Sequence, residues 1–132
     1  MKMKYTLTNL VMIAVLLLCI LGSGMLSQFL LARDSRKLKT TIDEMLISME
    51  SEDWQKAESE IEKLSTEWHS VMKLWSALID HHEIDNIDVT LSKLKSLIQS
   101  KDKSTALSEA TVLRKFIVHI PEKEKLSISN IL

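Results

Sequence analysis

The stretch WQKAESEIEKLSTEWHSVMKLWSALIDHH, residues 54–82, carries the pattern that decides the fold. Apolar residues recur along it at intervals of three and four, and polar residues fill most of the positions between them. This spacing places the apolar side chains on one face of a helix over four heptads, which is typical of helices that pack on other helices. The residues of this seam are Trp54, Ala57, Ile61, Leu64, Trp68, Val71, Trp75, Leu78 and His82.

Three more stretches have the same spacing, so the sequence predicts four packed helices. Polar breaks separate them near Asp53, Asp85 and Asp102, each of which can cap the following helix by accepting a backbone N–H bond. Pro121 is expected to end the last helix, because proline has no N–H to donate. The other seams are Leu38, Ile42, Met45 and Met49; Ile84, Ile87, Leu91, Leu94 and Ile98; and Ala106, Ala110, Leu113, Ile117 and Ile120.

A weak internal repeat relates the two halves of this helical region. SEDWQKAESE (51–60) aligns with SKDKSTALSE (100–109), which places Ala57 and Ala106 at equivalent positions one turn into a helix. The pattern is similar to the turn of tetratricopeptide-type hairpins, although the period is longer and the consensus Gly and Pro are missing. It predicts two helical hairpins packed together, with chance similarity between amphipathic helices as the alternative.

The N-terminal quarter of the chain is apolar. Residues 1–32 contain no acid and only two bases, and no residue from 7 to 31 is charged. A helix over that segment is ~37 Å long, enough to cross a bilayer. We therefore predict a tail (1–6), a transmembrane anchor (7–31) and a helical domain (33–132). A cleaved signal peptide, with its site near Gly22–Gly24, is the alternative; apolar residues resume at Met25, which favours an anchor.

The predicted location is the cell membrane, with a single pass and the lipid bilayer as the first partner. Counting bases slightly favours the domain inside, because Arg33, Arg36, Lys37 and Lys39 follow the segment. The basic residues at the start of the chain, followed by the apolar run, instead favour export of the domain with the N-terminus retained. We expect an extracytoplasmic domain.

The composition argues against several functions. Two glycines and one proline do not supply a phosphate-binding Gly-rich loop, and one cysteine makes neither a disulfide nor a Cys-based zinc site. A net charge of -1 gives no electrostatic reason to expect nucleic acid. No nucleophile, base and oxyanion-binding set can be assembled from the sequence. We therefore expect no enzyme, no cofactor, no metal and no small-molecule substrate.

One dense polar cluster lies between the second and third seams. His81, His82, Glu83 and Asp85 could hold a metal ion or sense pH. Adjacent histidines on a helix point about 100° apart, however, so they do not both ligate easily. Since His82 falls on the seam, the favoured interpretation is a structural histidine that faces the core.

Trp54, Trp68 and Trp75 lie on one face of one helix. Such a stripe is more often core than a ligand cage. The alternative is that some of these indoles cover an apolar groove between the hairpins, which would then be a site for a peptide or ligand.

Two stretches together resemble a known family. They are Trp68–Trp75 leading into LIDHHEIDNID (78–88), and Asn130-Ile131-Leu132 after His119-Ile120-Pro121. With the apolar N-terminal segment, they resemble the bacterial family called domain of unknown function 4363. The resemblance implies one N-terminal membrane segment, a spore-forming Firmicute source and a multi-pass membrane protein as partner, but no known activity.

We therefore expect a membrane-anchored, non-catalytic interaction or scaffolding module. The alternative function is a metal- or pH-responsive sensor built on His81, His82, Glu83 and Asp85.

Overall fold

A computed structural model describes residues 2–131, apart from the side chains of residues 127–129 and 131. Within that range the chain forms four helices and no strand. They are α1 (Lys2–Glu50), α2 (Trp54–Leu78), α3 (His81–Gln99) and α4 (Lys103–Ile131). The predicted all-α class is confirmed.

The helices form a closed antiparallel bundle. Each packs on its neighbour in the chain, and α1 also packs on α4. The bundle consists of the two hairpins that the sequence predicts, α1–α2 and α3–α4. The four predicted seams supply its interior, which is filled by buried apolar side chains from every helix, including Leu38, Ile42, Met45, Ile61, Leu64, Ile87, Leu94, Ala106, Leu113 and Ile117.

The turns of the two hairpins have the same hydrogen bonds, so the internal repeat is structural. Asp53 N–H donates to the Ser48 carbonyl (2.9 Å), and Asp102 N–H donates to the Leu97 carbonyl (3.0 Å). The Asp53 carboxylate then caps α2, and that of Asp102 caps α4, in each case by accepting a backbone N–H at 3.2 Å. Ala57 and Ala106 are both fully buried, as a close approach of two helices requires.

The break between the hairpins lies earlier than predicted. Asp80, not Asp85, caps α3, since its Oδ1 accepts the His82 N–H at 2.9 Å. Ile84 therefore lies inside the first turns of α3 and faces the core.

The apolar N-terminal segment and the bundle share one helix. α1 has 49 residues and no interruption, which makes it about 73 Å long. Its residues 2–23 are exposed, and partial burial begins at Gly24. From there the core-facing positions recur every three or four residues: Gly24, Gln28, Leu31, Ser35, Leu38, Ile42, Met45 and Met49. The seam of the bundle thus begins inside the apolar segment.

The expectation that Pro121 ends the last helix is wrong. Pro121 lies inside α4, which continues to Ile131. A proline in a helix leaves the carbonyl four residues earlier without its usual donor. Here that carbonyl belongs to Ile117, and it accepts the hydroxyl of Ser35 at 2.7 Å. The helix continues because α1 supplies the hydrogen bond that Pro121 cannot.

Candidate functional site

An open cleft of about 740 Å³ lies between α2 and α3. Because its volume falls in the range of ordinary ligand sites, it is the candidate functional site of the bundle. We call it the α2–α3 cleft. Its lining residues are Glu62, Ser65, Thr66, Trp68, His69 and Met72 from α2, and Asp88, Leu91, Ser92 and Lys95 from α3.

The floor of the cleft is an indole held by a carboxylate. Trp68 is 1% exposed, and its Nε1–H donates to Asp88 Oδ1 at 2.6 Å. Trp68 also meets the ring of Trp75 edge to face, with the centroids 5.5 Å apart. The indole thus has a partner on each side, and the half-buried Met72 and the buried Leu91 lie beside it in the lining.

The rim of the cleft is polar and carries both signs of charge. Lys95 of α3 pairs with Glu62 of α2 across one end. On the α2 side, His69 Nδ1 lies 2.6 Å from the Ser65 carbonyl. Since a carbonyl only accepts, Nδ1 carries the hydrogen of this bond. The cleft therefore combines a polar, mixed-charge rim with a floor that is almost fully buried.

The three tryptophans differ in their surroundings. Trp68 and Trp75 are buried, while Trp54 is half-buried at the start of α2. Trp75 Nε1–H points at Asp34 Oδ2, 3.3 Å away in the core. Trp68 alone of the three lines the α2–α3 cleft. Trp68 is therefore a core residue that also lies beneath the cleft.

The predicted histidine cluster lies on the surface of the bundle. His81 and His82 are both exposed, so the interpretation of His82 as a core histidine is wrong. It fails because α2 ends at Leu78 and the seam does not continue through the break. Among the described residues, no three His, Cys, Asp or Glu side chains are placed to share a metal ion.

Glu83 and Asp85 have separate surroundings. Lys123 of α4 donates to Glu83 Oε1 at 3.1 Å, and this hydrogen bond raises the pKa of Lys123. Asp85 is exposed on α3. The structure therefore ties Glu83 to the α3–α4 contact and does not join it with the two imidazoles in one site.

A buried polar ladder between α1 and α2 was missed in the sequence. Ser48 Oγ donates to Glu60 Oε2 and Thr41 Oγ1 donates to Glu67 Oε2, both at 2.7 Å. Asp34 adds a third step by accepting from Trp75. Asp34, Thr41 and Ser48 are seven residues apart, so they share one helix face. That spacing, next to the apolar seam, was the signal that could have revealed it.

The ladder sets the register of α1 against α2. Each buried carboxylate accepts a hydrogen bond from the facing helix, and sliding the helices by one turn would break all three of these bonds, although Asp34 would keep the neighbouring Arg33 as a partner. Unpaired buried carboxylates are costly, so the ladder disfavours other registers. The side chains of the ladder therefore stabilise the packing of α1 on α2.

The chain matches a protein family over most of its length. A family model described as Domain of unknown function (DUF4363) matches residues 25–131. The match covers most of the chain, which therefore belongs to this family, as the resemblance predicted. It begins at Met25, next to the point where α1 enters the bundle. No curated protein and no solved structure matches the chain.

Proposed function

We propose that this family member is a membrane-anchored, non-catalytic interaction module that presents its helical bundle to a protein in the same membrane. The observation that carries the proposal is the unbroken α1, whose exposed apolar half continues into the buried seam of the bundle. A helix without a linker transmits the position and orientation of the anchor to the bundle directly.

The exposed part of α1 supports the anchor. Its window of highest mean hydropathy, 2.5, has no residue buried inside the structure. Length and composition fit a membrane anchor or a signal sequence equally. Residues 2–23 form a helix of roughly 33 Å, close to the ~30 Å hydrocarbon thickness of a bilayer. A soluble protein rarely leaves so large an apolar surface in water.

The α2–α3 cleft supports the interaction role. Its mixed-charge rim suits a segment of a partner that is largely polar, and the half-buried Met72 offers apolar contact beside the buried Trp68 and Leu91. The partner we propose is a multi-pass membrane protein, because the anchor confines this chain to the bilayer. The domain is placed on the extracytoplasmic side in this proposal.

Site-specific photo-crosslinking in intact membranes tests the proposal. A photoreactive residue at Ser92 inside the cleft is expected to trap a membrane protein. The same residue at Ser108, an exposed serine on α4, serves as the matched control and should trap none. His82→Ala should leave the crosslink unchanged. Equal crosslinking from Ser92 and Ser108 would reject the cleft as the binding surface.

The alternative function, a metal- or pH-responsive sensor, has less support. The two exposed imidazoles and the Lys123–Glu83 pair do not converge on one point. Melting curves between pH 5 and 8, each with and without Zn²⁺, distinguish the two proposals. A shift of Tm that disappears in the His81→Ala/His82→Ala variant would favour the sensor.

A further inference from the structure

We infer that the last turns of α4, Glu122–Ile131, form a second membrane contact that lies in the lipid headgroup layer beside α1. This inference rests on the proposed membrane anchor. It concerns a surface that the anchor and the cleft do not explain, and it names the lipid interface as its occupant.

Two hydrogen bonds define the register in which α1 packs against α4. Ser35 bonds the carbonyl of Ile117, and Gln28 Nε2 donates to the carbonyl of Pro121 at 2.8 Å. The two helices are antiparallel, so α4 moves toward the apolar segment of α1 as its residue numbers rise. Ten more residues follow Pro121 in α4, a rise of about 15 Å.

The charged residues of this extension limit how deep it lies in the membrane. Glu122, Lys123, Glu124 and Lys125 come first, at about the level of residues 24–27 of α1. Since charged groups are costly in hydrocarbon, the hydrocarbon layer has to begin on the N-terminal side of Gly24. The exposed residues 2–23 are long enough to cross it by themselves.

The remaining residues then reach the interface. Residues 126–131 comprise three apolar and three polar residues and continue the helix by six residues, or about 9 Å. Because α4 runs antiparallel to α1, its end reaches about this far past its charged residues, to the boundary of headgroups and acyl chains, a depth of ~5–10 Å at which interfacial apolar groups insert. Leu126 is 65% exposed on the bundle, and Lys125 can remain at the phosphate level beside it, while Lys123 stays paired with Glu83.

Depth-dependent fluorescence quenching on the full chain in liposomes tests the inference. In a Cys19→Ala background, single cysteines carry an environment-sensitive dye at Asn130, at Leu16 in the anchor, or at Thr111 higher on α4, all exposed positions. Lipids with a nitroxide near the headgroup are expected to quench the Asn130 dye several-fold more than the Thr111 dye. Aqueous iodide should show the reverse order.

The three dye positions distinguish a failure of the inference from a failure of the proposed anchor. Quenching of the Leu16 dye by lipid nitroxides, with Asn130 behaving like Thr111, would overturn the inference and leave the anchor intact. Absence of lipid quenching at Leu16 would overturn the proposed anchor, and the inference with it.

Discussion

At the scale of single residues, Trp68 joins the core to the surface. It is buried against Trp75, it donates to Asp88, and its edge forms the floor of the α2–α3 cleft. A residue with these contacts is expected to matter first for stability. The position of Trp68 on the seam could be predicted from the 3-4 spacing. Its hydrogen bond to Asp88 could not be predicted, because the two residues are 20 positions apart in the sequence.

Removing the Trp68 indole should destabilise the bundle strongly. Trp68→Ala is expected to cost about 3–5 kcal/mol of unfolding free energy, because it opens a large cavity in a small core. Denaturant unfolding of the detergent-solubilised chain, followed by circular dichroism, measures the cost. Trp54→Ala, at a half-buried position, is the control and should cost clearly less. Equal costs would mean that the indole of Trp68 is not core.

Asp43 should make the stability depend on pH in the acid range. Burial alone would raise its pKa, but hydrogen bonds from Lys39 (2.9 Å) and Arg114 (2.7 Å) outweigh burial and lower the pKa of Asp43 from its ordinary 3.8. A carboxyl group with a lowered pKa in the folded state stabilises the protein above pH 3.8, and this contribution is lost as the pH falls through the folded-state pKa.

Asp43→Asn is therefore expected to lower stability at neutral pH by no more than about 0.5–1 kcal/mol, since the ion pairs are partly exposed. The difference from the parent should shrink below pH 3.8. Thermal unfolding from pH 7 to pH 2 measures it. Glu58→Gln on the exposed face of α2 is the charge-matched control. A difference that stays constant with pH would contradict the role of these ion pairs.

At the scale of elements, the continuity of α4 depends on α1. Pro121 removes a helical hydrogen bond, and Ser35 replaces it from another helix. The local rule that proline ends a helix failed here because the donor comes from a residue 82 positions away in sequence. The hairpin turns show the opposite case, since Asp53 and Asp102 cap the helices that directly follow them.

Ser35→Ala should leave the Ile117 carbonyl buried without a donor. The expected cost is about 1–3 kcal/mol. In a Pro121→Ala background the restored N–H can serve that carbonyl, so Ser35→Ala should cost distinctly less there. A double-mutant cycle by denaturant unfolding measures this coupling. Additive effects of the two changes would show that Ser35 does not compensate for the proline.

At the scale of the whole molecule, one helix belongs to two environments. In the proposed function the exposed apolar half of α1 lies in lipid, while its other half packs in the bundle. The side of the membrane on which the bundle lies then decides which partners it can meet.

The expected extracytoplasmic position can be measured by cysteine labelling. In a Cys19→Ala background, Thr111→Cys should react with a membrane-impermeant maleimide added to intact cells. Leu16→Cys should remain unlabelled under the same conditions, because it lies in the anchor. Labelling of Thr111→Cys only after lysis would place the bundle in the cytoplasm. The mass of the mature chain separates an anchor from a cleaved signal sequence.

The sequence by itself determined the four helices, their seams, the Asp53 and Asp102 caps and the family. These follow from side-chain periodicity and short-range hydrogen bonds, which act over a few turns. Only the tertiary structure decided that α4 continues through Pro121, that a polar ladder fixes α1 on α2, and that Asp88 meets Trp68 at the floor of a cleft. Each of these depends on which residues of distant segments face one another, and helical periodicity does not contain that information.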